Sequence, residues 1–134
     1  ALRSAARRGV DVKLILPEKN NHKYAGLASK ALYETLLSAG VRVYLRKPPF
    51  IHAKSMVIDR KIALIGTANL DIRSLELNYE STILIENKKT AGKIKHIIEE
   101  DIAASTELDY EIWKQRSNFN RLAENFCSLL TPLL

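Results

Sequence analysis

The chain has 134 residues, 27% of them charged, with 21 Lys and Arg against 15 Asp and Glu for a net charge of +6. That length suits one domain able to bury roughly two thirds of the surface its unfolded form exposes, and the one cysteine, Cys127, excludes an intramolecular disulfide. No run of about 18 apolar residues and no signal-peptide pattern is present, so the chain itself is expected to be soluble.

Residues 1–6 read as a helix already under way, with no capping residue ahead of it and no Met at the start. Gly9 ends it, and Val10 to Leu16 alternates and then runs apolar, as a strand entering a core does, before Pro17 stops it. Residues 23–38 carry Ala28, Ala31, Leu32, Thr35 and Leu36 at helical spacing, with Gly40 as the stop. Val41 to Leu45 is a second strand, closed by Pro48-Pro49, and the strand, helix, strand order predicts parallel pairing through a right-handed crossover.

Residues 51–58 and 61–66 predict two more strands joined by a tight turn at Asp59-Arg60, and Tyr79 to Glu86 predicts another. Ile94, Ile97, Ile98 and Ile102 mark the apolar face of a following helix. Phe119, Leu122, Ala123, Phe126, Leu129, Leu130 and Leu133 mark that of the last. This terminal stripe is expected to pack inside its own domain; a membrane interface or a partner half is the alternative. Tyr110 and Trp113 are expected as core or edge packing. Together the elements predict one α/β domain over residues 1–134, a mixed central sheet flanked by helices.

Charge is uneven along the chain. Residues 1–67 hold 13 Lys and Arg against 4 Asp and Glu, a net +9, and residues 68–134 hold 8 against 11, a net −3. A positive field over the first half would draw phosphate-bearing substrates and anionic membrane surfaces, and nucleic acid equally.

The chemistry concentrates in eighteen residues. His52 and Lys54 are two apart, so on a strand they project from one side. A lysine interrupting an apolar segment is costly to bury unless an anion meets it. Asp59 follows five residues on, at the opposite parity and in a turn that favours Asp for local backbone bonds. Gly66 permits close backbone approach, with Thr67 and Asn69 as hydroxyl and amide donors beside it. No His, Cys or carboxylate cluster has metal-ligand spacing: His22 reads as a loop residue and His96 lies among charged helix neighbours. Neither a metal nor another cofactor is expected.

The spacing His52-x-Lys54-x4-Asp59, continued by Gly66-Thr67-Ala68-Asn69, Asp71-Ile72-Arg73-Ser74 and Asn78-Tyr79-Glu80, resembles the HKD signature of the phospholipase D superfamily. With the C-terminal Ser128 to Leu134 it is similar to the bacterial cardiolipin synthases. The resemblance implies the layered phospholipase D fold and phosphatidyl transfer between two phosphatidylglycerol molecules. It implies His52, Lys54, Asp59 and Glu80 as catalytic residues, Glu80 orienting the His52 ring. It also implies Gly66, Thr67, Asn69, Asp71, Arg73 and Asn78 as substrate contacts, although Asp71, Arg73, Ser74 and Asn78 could instead cap the segment after the glycine loop.

Members of that family carry two such motifs, one in each half of a pseudo-twofold protein. This chain has one, and is expected to be the C-terminal half of a bacterial membrane protein whose N-terminal HKD half completes the site. Alone it is expected to self-associate weakly and turn over little. A phospholipase D or nuclease of the same superfamily is the alternative within enzymes, and a silent domain binding anionic lipid or its partner half is the alternative outside them.

Overall fold

A computed structural model describes residues 1–19, 23–49, 51–71 and 73–129, with the side chains at 23–25, 73 and 75 outside the description. His22 and the expected stripe positions Leu130 and Leu133 therefore lie outside the described residues. In chain order the elements are α1 (Leu2–Arg7), β1 (Lys13–Pro17), α2 (Lys23–Leu37), β2 (Arg42–Arg46), β3 (Ser55–Ile58), β4 (Ile62–Gly66), a π-helical turn (Arg73–Leu77), β5 (Thr82–Glu86), α3 (Lys88–Ala103), β6 (Ser105–Glu107), α4 (Tyr110–Lys114) and α5 (Asn118–Leu129). They form two compact units, one of Ala1–Ile51 with Ala104–Leu134 and one of His52–Ala103.

The first unit carries a mixed ladder. Strand β1 runs parallel to β2, Leu14 opposite Val43 and Ile15 opposite Tyr44, while β6 joins antiparallel with Glu107 opposite Tyr44. Parallel pairing of β1 and β2 is what the intervening helix requires. Both α1 and α2 end on a glycine in the left-handed region, Gly9 at φ 87° and Gly40 at φ 88°. In each case the next residue's N–H reaches back five positions, Val10 to Ala5 and Val41 to Leu36, satisfying carbonyls a helix end would otherwise orphan. Val41 and Val43 are fully buried at the centre of this unit.

Helix α5 departs from the expected packing. Its apolar stripe faces outward, with Phe119 79%, Leu122 69%, Phe126 63% and Leu129 78% exposed, while Glu124 is 4% exposed. An ion-pair network fixes this rotation. Arg116 Nε donates to Glu124 Oε2 at 3.0 Å and its Nη2 to Glu34 Oε2 on α2 at 3.1 Å, and Arg121 Nη2 reaches Glu34 Oε1 at 3.2 Å. The Arg116 guanidinium also stacks 4.7 Å over Trp113, whose ring lies 5.4 Å from that of Tyr33. Burying Arg116 demands carboxylates around it, and the face of α5 that supplies Glu124 is the one opposite the stripe. Burial, with the Glu124 charge adding to it, pushes the Tyr33 phenol up to about 12.

The second unit is an antiparallel ladder in the order β3-β4-β5, with Val57, Ala63 and Ile85 in one rank and Met56, Leu64 and Leu84 in the next. Helix α3 packs on it, and the small residues Ala63 and Ala91 are both fully buried. Ile94, Ile98 and Ile102 turn inward with Ala91, but Ile97 stays exposed. The chain reverses between β3 and β4 at Asp59 and Arg60, both at positive φ (50° and 54°), with Lys61 N–H bonded to the Ile58 carbonyl at 3.0 Å. Positive φ at both positions is the hairpin geometry whose twist matches the flanking strands. Among the described residues no helix is long and apolar enough to cross a membrane.

Candidate active site

All the positions that the sequence marks fall in the second unit, but its strands are shorter than the pattern predicts. His52 and Lys54 lie in the extended segment just before β3, and Glu80 lies just before β5. Backbone pairing nonetheless continues beyond the strand ends. Gly66 N–H donates to the Lys54 carbonyl at 2.9 Å, and Thr67 N–H donates to the Ser81 carbonyl at 3.0 Å. With Gly66 opposite Thr82, positions 54, 66 and 82 form one rank across the end of the ladder. Residues two apart share a face, so the same register carried outward places His52, Ala68 and Glu80 in the next rank on that face. This is the open end of the hairpin.

Gly66 is required by the strand packing itself. A Cβ there would sit 2.5 Å from the Ser81 carbonyl oxygen and 2.6 Å from Thr82 Oγ1. It permits a close approach to the neighbouring strand, and this contact brings the segment bearing Thr67 against the segment bearing Glu80.

Thr67 then locks the two segments together. Its hydroxyl donates to Glu80 Oε2 at 2.5 Å and accepts from the Ser81 N–H at 3.0 Å. The donated bond is the first cause holding the Glu80 carboxyl below the usual range; partial desolvation opposes it, Ser74 and Asn78 also donate, and the Asp71 charge pushes back. Glu80 is thus an ionised, oriented acceptor at neutral pH.

Lys54 is half-buried, and its Nζ donates to the His52 carbonyl at 3.0 Å, which holds the ammonium beside the histidine. Asn69 and Asn78 are exposed at the same end of the unit's loops. Asp71 Oδ1 accepts from the Ser74 N–H at 2.7 Å, so this carboxylate caps the π-helical turn, and Ser74 itself is buried. Arg73 opens that turn, and its side chain is outside the description. Asp59 is not brought together with the others. It sits in the turn at the far end of β3, five residues from Lys54, a distance of about 16 Å along an extended chain. His96 lies on α3, 3.5 Å from Glu100.

Sequence reasoning did not find the bond from Thr67 to Glu80, nor the donation from Ser74. The continued register of 67 with 81 was the signal available for the first.

The same end of this unit thus carries an imidazole and an ammonium on one segment and an ionised carboxylate and two amides on neighbouring segments, groups of the kind that bind a phosphate oxyanion. The fold superposes with a TM-score of 0.69 on a phospholipase D family member, Nuc, from Salmonella typhimurium, covering 80% of this chain and 70% of that one at 23% identity. The fold is that of a phospholipase D-like domain.

More specifically, residues 1–102 match the family described as cardiolipin synthase, PLD-like domain, and the chain belongs to that family. A cardiolipin synthase of Clostridium perfringens (strain 13) is 40% identical over all 134 residues, and cardiolipin synthase A of Escherichia coli O157:H7 is 41% identical over the same span. The chain spans about 28% of the length of these relatives.

Proposed function

We propose that this chain is one half of a transferase that moves a phosphatidyl group from one phosphatidylglycerol to the terminal hydroxyl of a second, giving cardiolipin and glycerol. His52 is one of two histidines in the complete site; the other comes from a second HKD half. One imidazole attacks phosphorus, forming a P–N bond as the P–O bond to the headgroup glycerol breaks. The other protonates that leaving alkoxide. It then removes the proton from the incoming hydroxyl, which displaces the first imidazole and completes the new phosphodiester.

In this reading Lys54 and Asn69 neutralise the non-bridging oxygens, and Glu80 holds the His52 ring through its second nitrogen. Membership of the cardiolipin synthase family supports the substrate class. The observation that supports the site is the Thr67–Glu80 bond at the open hairpin end, where the Gly66 N–H also pairs with the Lys54 carbonyl. The complete protein acts at a bacterial membrane, where its substrate resides.

The test is product stoichiometry. The complete protein, given phosphatidylglycerol vesicles and a chelator, should release one glycerol per cardiolipin formed. Phosphatidic acid with glycerol, and no cardiolipin, would replace the transferase with a hydrolase.

A further inference from the structure

Among the described residues two polar or charged side chains are buried, Glu124 and Ser74. Arg116 accounts for the first. The second lies in the unit that carries the site, within the π-helical turn Arg73–Leu77. Such turns are rare and occur frequently at functional sites. A buried hydroxyl needs a partner, because leaving it unpaired away from water is costly.

Both donors of Ser74 go to carboxylates. Its N–H donates to Asp71 Oδ1 at 2.7 Å, which fixes the start of the turn. Its hydroxyl is one of three donors to Glu80, with Thr67 Oγ1 at 2.5 Å and the Asn78 amide. A carboxylate offers about four lone-pair positions, so three donors leave one for a further group. Thr67 approaches from the end of β4, whereas Ser74 and Asn78 come from the segment that leads into Glu80, so the carboxylate is gripped from two sides of the loop. Asp71 and Glu80 repel each other, and Ser74 offers one donor to each. A side chain 5% exposed presents almost no surface to a phospholipid, so Ser74 acts on the reaction only through what it holds.

We propose that Ser74 is a positioning residue for phosphatidyl transfer: it holds the Glu80 carboxylate in the orientation that keeps one lone pair for the His52 ring, and Asp71 anchors Ser74 through its backbone. This deepens the proposed function and rests on it for the role of His52.

The first arm of the test uses this chain and no lipid. Carbon NMR of the Glu80 side-chain carboxyl should show the titration of Ser74→Ala at higher pH than the parent's, because a donor to the ionised form is gone. Asp71→Asn keeps an oxygen that accepts from the Ser74 N–H but removes the opposing charge, so its Glu80 titration should move to lower pH. A general loosening of the turn would move both variants the same way. The second arm is turnover of phosphatidylglycerol by the complete protein. Ser74→Ala should lose at least about fivefold in kcat, the scale of one net hydrogen bond, with KM held within about twofold, the pattern of an interaction felt in the transition state. An unmoved Glu80 titration in Ser74→Ala, shifts of one sign in both variants, or a raised KM at unchanged kcat would each overturn the proposal. A parent that forms phosphatidic acid and no cardiolipin would instead remove the transferase reading, and the Glu80 titrations would still decide the role of Ser74.

Discussion

Thr67 Oγ1 donates to Glu80 Oε2 at 2.5 Å, joining the end of β4 to the start of β5 at the open end of the hairpin. This bond turns an ordinary surface carboxylate into a fixed one, and it predicts a pH effect. A carboxylate whose folded-state value is lowered contributes stability that is present above the unfolded value and lost as pH falls through the lower folded value. Thr67→Val removes the leading cause of the Glu80 shift. The Glu80 titration, followed by carbon NMR of its side-chain carboxyl, should therefore move to higher pH, and the acid limb of turnover in the complete protein should move the same way. An unmoved titration would show that Thr67 does not set the state of Glu80.

Gly66→Ala should act on the same junction through sterics. Its Cβ would meet the Ser81 carbonyl oxygen at 2.5 Å, and both atoms belong to paired backbone that cannot swing aside. Urea unfolding should show a loss of about 1–3 kcal/mol, the range for forced overpacking. Retained stability would mean that the two segments separate without cost.

For Asp59 the expectation runs against its place in the motif. It lies at positive φ in the turn, at the far end of β3 from Lys54. Asn tolerates that backbone conformation nearly as well as Asp. Asp59→Asn should thus hold turnover of the complete protein within about twofold, the scale of a surface change, whereas Asp59→Val should lower the unfolding midpoint through backbone strain. A hundredfold loss in the Asn variant would return Asp59 to the reacting groups.

Arg116→Leu should be costly in the first unit. It leaves Glu124 buried without its cation and removes one of the two guanidinium groups on Glu34. Breaking a buried pair on one side costs about 3–5 kcal/mol, read as a fall in the denaturation midpoint. Freed from the network, α5 should also lose its outward rotation, visible as reduced dye binding to the apolar stripe.

Much of this was legible in the residues. The strand, helix, strand start, the hairpin turned at Asp59-Arg60 and the two amphipathic helices all follow from local spacing and turn chemistry. Periodicity says which side of α5 is apolar but not which way that side points. The direction depends on Arg116 meeting Glu34, 82 residues away, and no local pattern records such a pairing. The reason for Gly66 was hidden likewise, because a glycine looks the same whether a ligand or a neighbouring strand approaches it. Strand lengths were overestimated toward His52 and Glu80, since beyond the regular ladder the pairing continues only as single backbone bonds to the Lys54 and Ser81 carbonyls.

In the proposed reaction His52 handles the phosphoryl group in phosphatidyl transfer. Mass spectrometry of the lipids formed from phosphatidylglycerol, in chelator, by the complete protein and by its His52→Ala variant tests it most directly. Cardiolipin from the parent and none from the variant is the predicted result. Cardiolipin from both would show that transfer proceeds without His52.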